Sequence, residues 1–221
     1  MNYIITGVII LIIGYAFGCF STGYFVGKKN GLDIRSTGSG NIGTTNALRS
    51  LGAKAGAITF LGDLLKAFIP TLLVKFVFCP AMGYADDITY LFTLLAGLGV
   101  VMGHNFPFYL HFKGGKGIAV SAAVIVVSNL HPVFIGVGLA IFILVVAVTR
   151  YVSLGSLIVV WYIPIFTLLY YRESDLFPLI LIVSLLFTIL AYIKHKANII
   201  RLIHGTENKL GEKKEKKSEE N

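Results

Sequence analysis

The chain has 221 residues, is 56% hydrophobic with a mean hydropathy of +0.80, and only 14% of its residues are charged. A soluble domain carries about a quarter charged residues, so this composition excludes one and points to membrane-spanning helices. The formal net charge of +8 does not indicate a nucleic-acid partner, because the cations sit in short loops beside apolar runs, the pattern of membrane topology and anionic ligands.

Residues 2–27 are uncharged and long enough to span. They lack the basic n-region and clear cleavage site of a signal peptide. The next segment, Ser36 to Arg49, is the most polar and glycine-dense stretch of the chain. Glycines let backbone N–H groups approach a ligand, successive N–H groups form an anion-binding concavity, and arginine suits a bidentate phosphate contact. The segment reads as a phosphate cradle, with a plain flexible loop as the alternative.

A second span is expected at 55–78. Asp63 and Lys66 within it are three residues apart, share a helix face and can pair to brace the bundle. Lys75 is expected to snorkel toward the far interface. After the acids Asp86 and Asp87 a third span covers about 88–104. Then comes the loop from His104 to Gly117, with Lys113-Gly114-Gly115-Lys116-Gly117 at the start of the next helix. A helix N-terminus with free N–H groups binds anions, although the spacing of an ATP-binding P-loop is absent, since Ile118 follows Gly117.

Residues 117–149 are uncharged, too short for two full spans and long for one. The break at 128–132 predicts a short fourth span over 115–129 and a fifth over 132–149. A loop carrying Ser153, Gly155 and Ser156 leads to a sixth span, 155–171, and Arg172 to Asp175 lead to a seventh, 177–193. His195, Asn198 and Arg201 recur every three residues, so a short amphipathic helix would present them together, with His204 and Glu207 following. Beyond Lys209 the mixed charge predicts disorder. Cys19 and Cys79 lie in apolar surroundings without metal or redox spacing.

Seven spans put sixteen of the nineteen Lys and Arg on one side. The cation bias therefore places the N-terminus outside and the C-terminus in the cytoplasm. The fold class is an all-α integral membrane protein of seven transmembrane helices. Residues 1–208 form one membrane domain and 209–221 a charged tail. All the polar, glycine-bearing loops then share the cytoplasmic face. His131 falls on the outer side and reads as structural, and His104 is a better site candidate than His111.

The HxxxxD acyltransferase motif, the HExxH and EF-hand metal motifs and the GxSxG elbow are all missing, so no metal or cofactor is expected. Hydroxyls, amides, basic side chains and N–H groups remain. They suit phosphoanions and transfer chemistry run by positioning and electrostatics. A transporter of an anionic metabolite shares the spans, but its polar groups belong at mid-membrane. A non-enzymatic lipid-binding protein shares the charge bias but leaves the glycine spacing unexplained.

Gly-Ser-Gly-Asn-Ile-Gly-Thr-Thr-Asn-Ala-Leu-Arg at 38–49 resembles the first motif of the bacterial acylphosphate:glycerol-3-phosphate acyltransferases, the PlsY family. Gly-His-Asn-Phe-Pro-Phe at 103–108 with Phe-Lys-Gly-Gly-Lys-Gly-Ile-Ala at 112–119 resembles its second. The loop at 150–156 resembles its serine-bearing region, and Asn-Ile-Ile-Arg-Leu-Ile-His-Gly-Thr-Glu at 198–207 its last. The motifs come in the family's order and cover nearly the whole chain. Thr44 and Val120 depart from the family's usual residues and are not counted as ligands.

The resemblance implies transfer of a fatty acyl chain from acyl phosphate to the 1-hydroxyl of glycerol 3-phosphate, giving lysophosphatidic acid and inorganic phosphate. It also implies a bacterial cytoplasmic membrane, membrane lipid as surroundings, and a pathway link to the enzyme that makes acyl phosphate. The candidates for catalysis are Ser39, Arg49, Lys113, Ser153, Ser156 and His195. The candidates for holding substrate phosphates are Gly38, Gly40, Asn41, Asn46, His104, Gly114, Gly115, Lys116, Gly117, Asn198 and Glu207.

Overall fold

The structure is a computed structural model that describes residues 2–211. Residues 212–221, most of the tail expected to be disordered, lie outside the described residues. Among the described residues all regular structure is helical.

The first membrane segment is two helices, α1 (Tyr3–Cys19) and α2 (Thr22–Lys29), where the uncharged run predicted one. The break at Phe20 is held from outside. The Phe20 carbonyl accepts from Lys66 Nζ at 2.8 Å and the Cys19 carbonyl from Tyr109 Oη at 2.9 Å. Carbonyls freed from a helix in an apolar setting need such partners, and no local sequence pattern announces them.

Next come α3 (Thr44–Leu51), the Gly52 corner with φ +88, and α4 (Ala53–Leu73), which runs through a π-turn at Val74–Phe78 into α5 (Cys79–Ala81). α6 (Asp86–Asn105) is the buried centre of the bundle. It packs along α1 through small residues. A side chain on Gly14 or Gly18 would strike the carbonyl oxygens of Ala96 or Val100, and one on Gly99 or Gly103 those of Leu11 or Tyr15. In lipid, where apolar burial does not drive association, such close backbone contact supplies the packing.

α7 (Ile118–Ser128) is buried on most of its surface and packs against α4 and α6. α8 (Pro132–Thr149) buries only Gly138, so its apolar surface faces outward. His131 caps α8, its Nδ1 accepting from Val133 N at 3.3 Å. α9 (Val152–Val159) and α10 (Tyr162–Tyr170) are followed by α11 (Phe177–Lys194) and the short α12 (Lys196–Ile203).

Among the described residues six segments are long and apolar enough to cross a membrane: 3–29, 53–81, 86–110, 132–149, 152–170 and 177–194. The expected fourth span is shorter. The 11 residues of α7 rise only about 17 Å, against a hydrocarbon core of about 30 Å. Its C-terminal carbonyls, on Val127 and Ser128, accept from Lys75 Nζ at 2.7 and 2.9 Å. Lys75 thus ends on α7, and α7 is completed by neighbouring helices rather than by its own length.

Candidate active site

The first polar loop is built around Asn46. Its side-chain oxygen accepts from the Ser39 N–H at 2.9 Å, and its amide donates to the carbonyls of Ile34 and Thr37 at 3.0 and 3.1 Å. Gly38 takes φ +58, where a side chain would strike Asn46 Oδ1. Asn41 Oδ1 accepts from the Gly43 N–H at 2.9 Å, and Gly40 takes φ +70. Asn46 and Asn41, expected to hold phosphate, thus have these atoms engaged with loop backbone. Ser39 is exposed at the loop tip and Arg49 is exposed on α3.

The second loop folds back onto the end of α6. The Gly115 and Gly114 N–H groups donate to the carbonyls of His104 and Asn105 at 3.0 and 3.1 Å. A side chain on Gly114 would strike the His104 carbonyl oxygen, and one on Gly115 the His104 imidazole. The glycines are therefore required for backbone to lie on backbone, independently of any ligand. Gly117, with φ +81, opens α7. The Asn105 carbonyl also accepts from Lys194 Nζ at 2.9 Å, while the buried Asn105 side chain has no protein partner among the described residues. Lys113 is exposed and joined to the other candidates by no side-chain bond among the described residues.

The third component is a hydrogen-bonded chain from this loop to the tail. Lys116 Nζ donates to Asn198 Oδ1 at 2.6 Å, and the Asn198 amide donates to Glu207 Oε1 at 2.7 Å. Glu207 Oε2 accepts from Arg201 Nε at 2.7 Å. Asn198 and Glu207 are buried. Lys116, 82 positions before Asn198, is thereby tied to three residues that lie within nine positions of one another near the end of the described chain.

Burial pushes Lys116 down to about 8, helped by the cations Arg201, Arg49 and Lys194 and opposed by Glu207. Lys116 therefore feels Arg49 from the first loop as well as both cations of the tail region. Burial is the main cause of the shift, and the three cations add to it.

His195 is buried beside this chain. Its Nδ1 lies 2.8 Å from the Ala191 carbonyl, and since a carbonyl only accepts, Nδ1 carries the proton. Burial and then the Lys116 charge push His195 down to about 4, against the opposing pull of the Ala191 hydrogen bond and Glu207. It is neutral at physiological pH. On α9, which packs against α11 and α12, the Ser156 hydroxyl donates back to the Val152 carbonyl at 2.9 Å, while the Ser153 hydroxyl is buried without a protein partner among the described residues. The segment after α12 is tied to the same region, since the Arg150 guanidinium donates to the Leu210 carbonyl at 2.8 Å and Leu210 N–H donates to the Arg150 carbonyl at 2.8 Å.

Residues 8–205 match the family described as glycerol-3-phosphate acyltransferase. The chain belongs to the glycerol-3-phosphate acyltransferase family. It is 45% identical over 213 residues to the glycerol-3-phosphate acyltransferase of Clostridioides difficile, covering 94% of this chain and 97% of that one. The enzyme of Fusobacterium nucleatum is 39% identical, covering 90% and 95% of the two chains. The fold is similar to the crystal structure of PlsY, an integral membrane glycerol 3-phosphate acyltransferase, in its glycerol 3-phosphate form. There the TM-score is 0.79 at 30% identity, with 93% of this chain and 96% of that one covered. The lysophosphatidic acid form gives a TM-score of 0.76. Family, fold and the spanning segments agree that this is a multi-pass integral membrane protein of the acyltransferase family.

Two cations not named among the catalytic or phosphate-holding candidates adjoin the candidate acyltransferase site. Lys194, at the end of α11, holds the Asn105 carbonyl, and Arg201 holds Glu207. Arg201 was legible as the third member of the series begun by His195 and Asn198. Lys194 looked like any basic residue ending a span.

Proposed function

We propose that this protein transfers a fatty acyl group from acyl phosphate to the 1-hydroxyl of glycerol 3-phosphate, releasing lysophosphatidic acid and inorganic phosphate. The observation that carries the reading is the meeting of Lys116 with Asn198, Glu207 and Arg201 within reach of the charge of Arg49. That arrangement offers several cations to two phosphorylated substrates and only one carboxylate, already engaged. Arg49 and the lysines neutralise the substrates' phosphates, and Ser39 with the loop N–H groups orients the acyl phosphate.

In the reaction the 1-hydroxyl oxygen bonds to the acyl carbonyl carbon while the bond from that carbon to the phosphate oxygen breaks. The hydroxyl proton passes to an oxygen of the departing phosphate. His195, with its pKa near 4, is a weak base, which favours this substrate-assisted route. Phosphate is a good leaving group, so positioning and charge suffice without a covalent enzyme intermediate.

The polar loops face the cytoplasm in this reading, with seven crossings that count the short α7, and with the acyl chain lying among the spans. Sixteen of the nineteen Lys and Arg then fall on the cytoplasmic side of a bacterial inner membrane. The acyl phosphate comes from a separate enzyme of the pathway. The test is to supply purified protein with labelled glycerol 3-phosphate and either palmitoyl phosphate or palmitoyl-CoA. Labelled lysophosphatidic acid from palmitoyl phosphate alone is expected. Uptake of unmodified glycerol 3-phosphate into proteoliposomes without product would assign a transporter instead.

A further inference from the structure

Beneath the Gly114–Gly115 backbone lies a buried group that the reaction scheme above does not use. Lys66 Nζ is 2.8 Å from the Phe20 carbonyl, 2.8 Å from His104 Nδ1 and 2.9 Å from Asp63 Oδ1. The contact with Asp63 is a close ion pair set off the hydrogen-bonding directions of the carboxylate. Asp63, Lys66 and His104 are each no more than 5% exposed.

An ammonium has three donors and no acceptor. With Asp63 as its counter-charge, Lys66 faces a carbonyl, a carboxylate and an imidazole nitrogen. His104 Nδ1 is then compelled to accept, and the ring's one proton resides on Nε2. That edge of the ring is the one a side chain on Gly115 would strike. The donor edge of His104 therefore lies directly under the glycine loop.

We propose that Lys66, held by Asp63 and the Phe20 carbonyl, is a positioning residue that fixes the Nε2–H tautomer of His104 and so presents an N–H donor, beside Gly115, to a substrate phosphate held at the edge of the Gly114–Gly115 loop. The proposal rests on the reading of that loop as the phosphate site. It gives the α1–α2 break a purpose, because the break frees the Phe20 carbonyl that fills one of the three places around the ammonium. It also explains why a charged pair is kept in the bundle, where an apolar pair of similar volume is often at least as stable.

The test uses the full-length protein in detergent or lipid, with 15N-labelled histidine. Imidazole 15N shifts should report His104 protonated at Nε2 alone, and added glycerol 3-phosphate should perturb that resonance. Lys66→Met alone leaves Asp63 buried and unpaired, so its folding is at risk. The double variant Asp63→Leu/Lys66→Met removes both charges and is the decisive one. In it the His104 tautomers should mix, and kcat/KM for glycerol 3-phosphate should fall about ten- to hundredfold, the size of one hydrogen bond to a charged group, with the thermal midpoint retained. A double variant that folds and keeps wild-type kcat/KM, or a wild-type ring protonated at Nδ1, overturns the proposal. Wild-type protein that makes no product at all overturns the acyltransferase reading, and the tautomer measurement remains decisive for Lys66.

Discussion

Lys116 Nζ and Asn198 Oδ1 are 2.6 Å apart, joining the glycine-lysine loop after α6 to the helix that begins the tail. Because Asn198 hands on to Glu207 and Glu207 to Arg201, losing either end should disturb the other. Asn198→Leu is expected to lower kcat/KM by at least about tenfold, comparable to one lost hydrogen bond to a charged group. Steady-state kinetics checks this, with near-normal values counting against the chain.

Lys116 makes a pH prediction. Its pKa, lowered to about 8, leaves the ammonium present below that pH and lost above it. Binding that needs the cation is therefore strong at neutral pH and fails as pH rises through about 8. The ratio kcat/KM for glycerol 3-phosphate should fall about tenfold per pH unit on the alkaline side. Lys116→Arg keeps its charge throughout and should move that limb to higher pH. An unmoved limb would assign it to another group.

His195 gives the complementary expectation. With a pKa lowered to about 4, it stays neutral through the range of an ordinary histidine, about 6.5. His195→Ala should reduce the rate while leaving the shape of the profile between pH 5.5 and 7.5, roughly the physiological titration window, unchanged. Loss of a limb in that range would make His195 the base.

Arg49 sits exposed on α3, and the proposed reaction has it meet a substrate phosphate there. Arg49→Lys replaces a planar fork by a point charge. A large activity loss with normal expression and thermal midpoint is expected, and unchanged kinetics would remove Arg49 from the site.

The sequence made the four motif regions and most helices legible because composition and spacing are local properties. The His195, Asn198 and Arg201 series did predict residues that gather, since three-residue spacing is itself a geometric statement. The roles within the first loop were harder to read. Asn46 looked like a ligand by residue type, yet its atoms meet Ile34, Thr37 and Ser39 backbone, contacts that only the closed loop creates. The α1–α2 break was hidden because Lys66 and Tyr109, which stabilise it, are 46 and 90 residues away from their acceptors. The glycines of α1 and α6 carried a readable signal, Gly14 to Gly18 and Gly99 to Gly103 each four apart, whose meaning appears once the two helices cross.

That crossing predicts a stability effect separate from chemistry. Gly18→Val would drive a side chain into the Val100 carbonyl, and overpacking of this kind costs about 1–3 kcal/mol. A lowered thermal midpoint in detergent should accompany lower yield, with KM of the surviving enzyme unchanged. A normal midpoint would mean that α1 and α6 do not meet as described.

The most direct test of the account is inorganic phosphate release by the purified protein in lipid, with palmitoyl phosphate supplied in the presence and absence of glycerol 3-phosphate. Release that requires both compounds and matches lysophosphatidic acid formed, mole for mole, is the predicted result. Folded protein that releases no phosphate, or releases it equally without glycerol 3-phosphate, would contradict acyl transfer at this site.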